Sequence, residues 1–208
     1  VRKLAALLLR QEGWQVTVKD GDGQRSERYR AVMVANGHHW KPRWPEPSFP
    51  GADAFEGEQT HAHHYREPSA LVGKRVLVLG IGNSATDIAV ESSRHADATF
   101  LSMGRGAWVV PKYIGSTPTD HHTTGFLTRL PLALQSLGMS LMIRMAVGKP
   151  TDYGLPKPDH RLLHDHPTVS EELYNRLGHG AIGVKPNIDR LDGDTVHFAD
   201  GSSDRFDV

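Results

Sequence analysis

Apolar and polar residues follow different periods along this chain, and each change of period marks an element. Val1–Arg10, VRKLAALLLR, reads as a short helix. Trp14–Val18 alternates like a half-buried strand, and Asp20–Gly23 supplies turn residues. Arg28–Val34 reads as a returning strand that becomes wholly apolar. It ends at Ala35-Asn36-Gly37 and runs into HHWKPRWPEPSFPG, residues 38–51, an extended proline-rich connector that cannot be helix. From Gly73 a strand, a glycine turn and a helical pattern follow in order, with a further strand at Ala98–Leu101. After Trp108 the pattern weakens. Gly115–Asp120 reads as loop, Leu127–Ala146 is apolar at helical spacing, and Lys149–Pro167 is rich in proline and histidine. Thr168-Val-Ser-Glu-Glu172 has the look of a capping box opening a short helix. Ile182–Val184 and Thr195–Phe198 read as strands, and Asp200-Gly201 as a turn into Phe206–Val208. The chain shows no internal repeat and no low-complexity tract.

The segment Val76–Asp87, VLVLGIGNSATD, carries the strongest chemical signal. A buried apolar strand breaks into Gly80-x-Gly82-Asn83-Ser84-Ala85 and then into a helix. In a dinucleotide-binding turn the first glycine allows the tight bend, and the second lets the backbone approach a pyrophosphate. The helix opening near Ser84 aims amide N–H groups and its positive dipole end at the anion. The strand before the motif and the helix after it are the setting that the motif requires. The end of the next strand bears on cofactor choice. An NAD site usually has Asp or Glu there for the ribose 2′-OH. This chain has Ser102-Met103-Gly104-Arg105 instead. A carboxylate would repel a 2′-phosphate, whereas a hydroxyl and a guanidinium would hold one. NADP is the expected nucleotide, read by Ser102 and Arg105.

Length and charge exclude more than they assign. The 208 residues suffice for a substantial core in one or two domains. With 24 basic and 24 acidic residues the chain has no bulk field that would favour nucleic acid or an acidic membrane. It has no cysteine, which removes disulfides, thiolate metal sites and cysteine nucleophiles, and is compatible with a cytoplasmic setting. Leu4–Leu9 is too short to span a bilayer. The 13 histidines include His61/His63/His64, His121/His122 and His160/His164/His166. Their spacings vary and His160 and His164, though one helical turn apart, lack the glutamate of a zinc-hydrolase motif. No metal site is expected, and no triad or paired-carboxylate signature names a catalytic residue. Leu127–Ala146 is expected to be a helical insertion packed in a core or interface, with membrane contact the alternative that Pro131, Gly138 and two arginines oppose.

Together these pieces resemble the flavin-containing monooxygenase family. Phe55-x-Gly57-x-x-x-His61-x-x-x-Tyr65-Arg66 is similar to its fingerprint FxGxxxHxxxY, upstream of the nucleotide turn as in the family. GxGNSxxDIA at Gly80–Ala89 and the RGAW–PK run from Arg105 to Lys112 add to the match, which covers essentially the whole chain. The related Baeyer–Villiger fingerprint has Trp where Tyr65 stands, so the chain looks closer to the branch that oxygenates nitrogen and sulfur.

The resemblance implies an α/β fold: a Rossmann-like NADP-binding domain inserted between partial pieces of a Rossmann-like FAD-binding domain. Residues 1–67 would be a FAD-domain segment and connector, and residues 68–184 the NADP domain, with a helical and loop insertion at 115–180. Residues 185–208 would return to the FAD domain. It implies FAD and NADP as cofactors, with O2 and a small amine, sulfide or ketone as substrates. NADPH would reduce FAD, and a flavin hydroperoxide would pass one oxygen atom to the soft nucleophile. Gly80, Gly82, Asn83, Ser84 and Ala85 would hold the pyrophosphate, Ser102 and Arg105 the 2′-phosphate, and Asn36 and Gly37 would lie near the flavin. Gly104 stands where relatives carry Arg, and Asn36 where many have Thr. Phe55 and Gly57 would pack and turn, whereas His61 and Tyr65 would brace the interdomain region or touch cofactor. The family's first glycine turn and its ATGY-like segment are not found, so an internal piece of a larger enzyme is expected. A stand-alone NADP-binding module without turnover is the alternative reading. A dehydrogenase using NADP alone would have no evident proton relay and no use for the fingerprint.

Overall fold

The computed structural model describes residues 3–8, 13–21, 23–35, 37, 41–123 and 129–208. They form two compact units, Val1–Pro42 and Arg43–Val208. In the first, β1 (Lys3–Leu8), β2 (Trp14–Asp20) and β3 (Gly23–Tyr29) make an antiparallel meander. β1 corrects the expected N-terminal helix. Leucine and alanine favour helix locally, but six consecutive pairings from Lys3↔Lys19 to Leu8↔Trp14 override that preference. The returning strand also lies earlier than expected. Asp20 pairs with Gly23 at the hairpin end, so β3 is spent by Tyr29, and Met33 and Val34 are exposed.

The second unit is built on a parallel sheet in the order β10-β5-β4, from β4 (Arg75–Leu79), β5 (Ala98–Ser102) and β10 (Gly183–Lys185). Helix α1 (Asn83–Ser92) crosses from β4 to the parallel β5, the βαβ unit of a Rossmann-like fold. Its inner residues Ala89 and Val90 pack with Leu101 of β5 and with Leu173 and Leu177 of α3 (Leu173–Gly178). At the far end of α1 the buried hydroxyls of Ser92 and Thr99 share a 2.8 Å hydrogen bond, so neither is stranded in the core. Gly183 is small for a reason: a Cβ there would lie 2.5 Å from the Phe100 ring on the neighbouring strand.

Between β5 and α3 the chain differs from the expectations in three places. The expected loop at residues 115–120 contains a short hairpin, β7 (Tyr113–Ile114) with β8 (Thr117–Pro118). Helix α2 runs Leu132–Val147, beginning directly after Pro131, whose ring cannot sit inside a helix. Residues 127 and 128 of the expected helix lie outside the described ones. Thr168 opens no helix. Thr168–Val169 is β9, parallel to β6 (Val109–Val110), and the acidic residues of the apparent capping box have other partners. Glu171 accepts from the Lys112 amide at 2.9 Å, and Glu172 pairs with Arg94.

Residues 185–208 fold against this sheet. β11 (Ile188–Asp192), β12 (Thr195–Phe198) and β13 (Ser203–Arg205) form an antiparallel meander over a core of Ile188, Val196, Phe198 and Phe206. Beyond β13, the Leu77 amide donates to the Val208 carbonyl at 2.8 Å, and the Asp207 amide to the Arg75 carbonyl at 2.9 Å. The chain's last two residues thus line the outer edge of β4. A charged lid closes the meander: Asp204 accepts from Arg75 (2.8 Å) and Lys185 (3.1 Å), whose cationic groups lie over Phe100, Phe198 and Phe206.

Candidate nucleotide-binding site

The turn from β4 into α1 has the geometry an anion cradle needs. Gly80 has a φ of 113°, a left-handed conformation costly for any other residue, and its amide donates to the Ser102 carbonyl at 2.8 Å. Gly82 precedes the helix, and a Cβ there would meet nothing within 4 Å. The space in front of it is therefore open to a ligand. The first intrahelical bond is made by the Thr86 amide to Gly82 O at 3.0 Å, so the amides of Asn83, Ser84 and Ala85 lie in the unpaired first turn of the helix. The cradle a side chain would fill, together with this helix end, fits a pyrophosphate.

The turn opens into a cleft of about 900 Å3. Gly80, Gly82, Ser84 and Ala85 line one side, and the fingerprint residues Phe55, His61 and Tyr65 line another. Asn83 turns away from it. Its Oδ1 accepts from the Val169 amide at 2.8 Å, and the Thr168 hydroxyl donates to the Ile81 carbonyl. β9 thus grips the glycine turn from behind, a contact that no local pattern in the sequence announces.

The fingerprint is a set of braces. A Cβ on Gly57 would come within 2.5 Å of the Phe55 ring and 3.0 Å of the Asp207 carbonyl. The Glu56 and Glu58 amides donate to Gly193 and Asp207, stitching the segment to the meander. His61 Nδ1 accepts from the His63 amide at 3.0 Å, and its ring lies tilted against Trp44 at 5.8 Å. The Tyr65 hydroxyl donates to Glu91 on α1 at 2.7 Å. Burial, and then that bond, push the phenol well above its ordinary pKa. Arg66 donates to the carbonyls of His63 and Tyr65, holding the turn between them.

The remaining expected residues are not gathered on the cleft. Ser102 is fully buried, and its hydroxyl donates to the Pro186 carbonyl at 2.6 Å. That inward bond joins β5 to the segment after β10. Arg105 is the opposite case, with 72% of its side chain exposed and an ion pair to Asp165 at 3.6 Å. Gly37 has a left-handed φ of 65°, and Asn36 lies outside the described residues. The segment carrying His160 and His164 is irregular, with Leu163 at a positive φ of 68°, so the two do not share a helix face. Among the described residues no three His, Asp or Glu side chains converge as metal ligands. No described helix is long and apolar enough to cross a membrane.

A strand, glycine turn and helix feeding a parallel sheet define a dinucleotide-binding α/β protein. The profile of the flavin-binding monooxygenase-like family matches residues 8–208, and the chain belongs to that family. Members of the family use FAD and NADPH. It is 37% identical over 201 residues to flavin-containing monooxygenase 5 of Cavia porcellus, covering 91% of this chain and 36% of the relative. It is 35% identical to dimethylaniline monooxygenase (N-oxide-forming) 2 of Oryctolagus cuniculus, again over 91% of this chain and 36% of the relative. The chain thus spans little more than a third of these relatives. Among solved structures, cyclohexanone monooxygenase in its open form shares the fold, with a TM-score of 0.66 at 18% identity over 100% of this chain and 52% of that one. The flavin-containing monooxygenase of Stenotrophomonas maltophilia gives 0.58 at 20%, over 98% and 48%.

Proposed function

We propose that this chain binds NADPH for a flavin-dependent monooxygenase that places one oxygen atom of O2 on the nitrogen or sulfur of a small molecule. The observation that carries the reading is the cleft shared by the Gly80–Ala85 turn and the fingerprint residues His61 and Tyr65. In this reading Gly80, Gly82 and the first-turn amides of α1 hold the pyrophosphate, and Arg105 holds the 2′-phosphate. Asn83 fixes the turn from outside, and Tyr65 and His61 fix the wall against which the nicotinamide end would lie. Residues 68–184 would form the NADP domain, and residues 1–67 and 185–208 would belong to the flavin side. Among the described residues the first unit is an antiparallel meander, and Asn36 and Gly37 would lie on its flavin side. When bound, the flavin supplies the oxygen chemistry, and this chain's part is to position the nucleotide and exclude water. Tyr65 in the fingerprint and kinship with an N-oxide-forming enzyme favour nitrogen or sulfur over ketones. A cytoplasmic setting accords with the absence of cysteine.

Titration of the full chain with NADP+ tests the site. Gly82→Leu should abolish binding while the far-ultraviolet circular dichroism stays unchanged, because the new side chain enters open space. Retained binding would refute the cradle. This chain with added FAD should consume NADPH only at background, whereas in the longer enzyme that carries it consumption should rise with dimethylaniline or a thioether and not with cyclohexanone.

A further inference from the structure

Arg105 is held in place by its neighbours on both sides. A Cβ on Gly106 would lie 2.3 Å from the Pro156 carbonyl, and Gly106 bridges in parallel to Pro158. A Cβ on Gly104 would come within 3.2 Å of Asn187. The backbone at Arg105 is therefore wedged between two segments, and only its side chain is free to choose a partner. That partner is already present. Asp165 Oδ2 stands 3.6 Å from the guanidinium, while Asp165 Oδ1 accepts from the His166 amide at 2.8 Å, which orients the carboxylate.

The segment that carries Asp165 is itself anchored. Three residues on, Thr168 donates to Ile81 and Val169 to Asn83, so one short run touches both the glycine turn and Arg105. Trp108 Nε1 donates to the His160 carbonyl at 2.9 Å, fixing the earlier part of the same loop. A second acid, Asp159, lies here too. Its hydrogen bond to His160, with a smaller contribution from Arg105, holds its carboxyl below the ordinary range.

We infer that Asp165 lowers the preference of this site for NADP over NAD, by occupying the guanidinium that a 2′-phosphate would need. The inference rests on the reading of Arg105 as the 2′-phosphate ligand. A ribose phosphate is close to doubly charged at neutral pH, so it can enter only by displacing the carboxylate or by lying beside it against like-charge repulsion. An unphosphorylated ribose meets neither obstacle. Asp165 therefore weakens NADP selectively and leaves NAD untouched.

Binding of NADP+ and NAD+ to the full chain, measured by calorimetry at low salt, tests this with three variants. Asp165→Asn keeps the size and the acceptor for His166 but removes the charge. It should tighten NADP+ three- to tenfold, change NAD+ less than twofold, and lose most of its gain at 1 M salt. Weaker NADP+ binding would show that Asp165 positions Arg105 rather than competing for it, and would overturn the inference. Equal tightening of both nucleotides would overturn it as well. Arg105→Ala tests the underlying reading separately: if it weakens NADP+ and NAD+ alike, Arg105 does not hold the 2′-phosphate. In Arg105→Ala/Asp165→Asn the effect of the Asp165 change should vanish, and its persistence would exclude action through Arg105.

Discussion

The Tyr65 hydroxyl donates a 2.7 Å hydrogen bond to the Glu91 carboxylate, joining the fingerprint segment to the third turn of α1 across 26 residues of sequence. The bond ties one wall of the nucleotide cleft to the helix whose first turn faces that cleft. Tyr65→Phe is expected to lower stability by about 1 kcal/mol, the usual net worth of such a bond, with little change in NADP+ affinity. The phenol also carries a pH signature. Its pKa in the folded protein is raised above the ordinary 10.0, so the folded state holds the proton more tightly than the unfolded chain. The resulting stability is whole below pH 10 and declines as pH rises beyond it. Thermal melts of the variant between neutral and strongly alkaline pH should show a shallower decline than the parent.

Gly57→Ala should destabilise by roughly 1–3 kcal/mol, the range for forcing extra volume into a packed site. The added Cβ would fall 2.5 Å from the Phe55 ring and 3.0 Å from a carbonyl. Denaturant midpoints measure it, and Phe55→Leu in the same chain should recover part of the loss by removing the ring atoms in the way.

What could be read from the sequence was whatever a short stretch of chain decides for itself. The glycine turn at Gly80–Ala85 was legible because strand, turn and helix are contiguous. β1 was not, since Leu4–Leu8 prefers helix in isolation and becomes strand only by pairing with Val18–Trp14. β11 escaped notice because its register shifts between Ile188 and Arg190. That irregularity puts Ile188 and Leu191 three apart and breaks the alternation that marks a strand. Of the site, the residues on the turn and in the fingerprint were legible as types. Their partners Glu91, Val169 and Asp165 were not, because each comes from a distant segment. The acceptor of the Ser102 hydroxyl was hidden for the same reason: Pro186 is supplied by the chain 84 residues later.

Asn83→Ala removes the acceptor for the Val169 amide. A cost of about 1 kcal/mol in stability is expected, along with a several-fold loss of NADP+ affinity as the turn loosens. Asn83→Asp keeps an acceptor and should preserve stability, yet it puts a negative charge beside the pyrophosphate. Its NADP+ affinity should fall further than that of the alanine variant. Paired melting and binding curves separate the two effects.

Asp204 should be felt on the acid side. Burial acts to raise its carboxyl, but the bond from Lys185, the Arg205 amide, and the charges of Lys185 and Arg75 outweigh it and hold it below the ordinary 3.8. A depressed carboxyl stabilises the fold above its unfolded pKa, and that stability is lost as pH falls through the folded value. Asp204→Asn should therefore be less stable than the parent at pH 7, and the difference should close progressively below pH 4. Urea melts across that range are the measurement.

The Arg105–Asp165 pair has a consequence for how readily this chain can change its cofactor. Both side chains are at the surface, 72% and 46% exposed, and neither belongs to a core cluster. Ser102, one strand-end away, is sealed inside with no such freedom. The charges that would distinguish the two nucleotides can be exchanged at almost no cost to folding, because exposed ion pairs contribute little to stability. Mutational drift at these two positions would alter nucleotide preference long before it threatened the sheet beneath them. In a laboratory lineage selected for NADH use, changes should accumulate there first, with the parallel strands and α1 left intact.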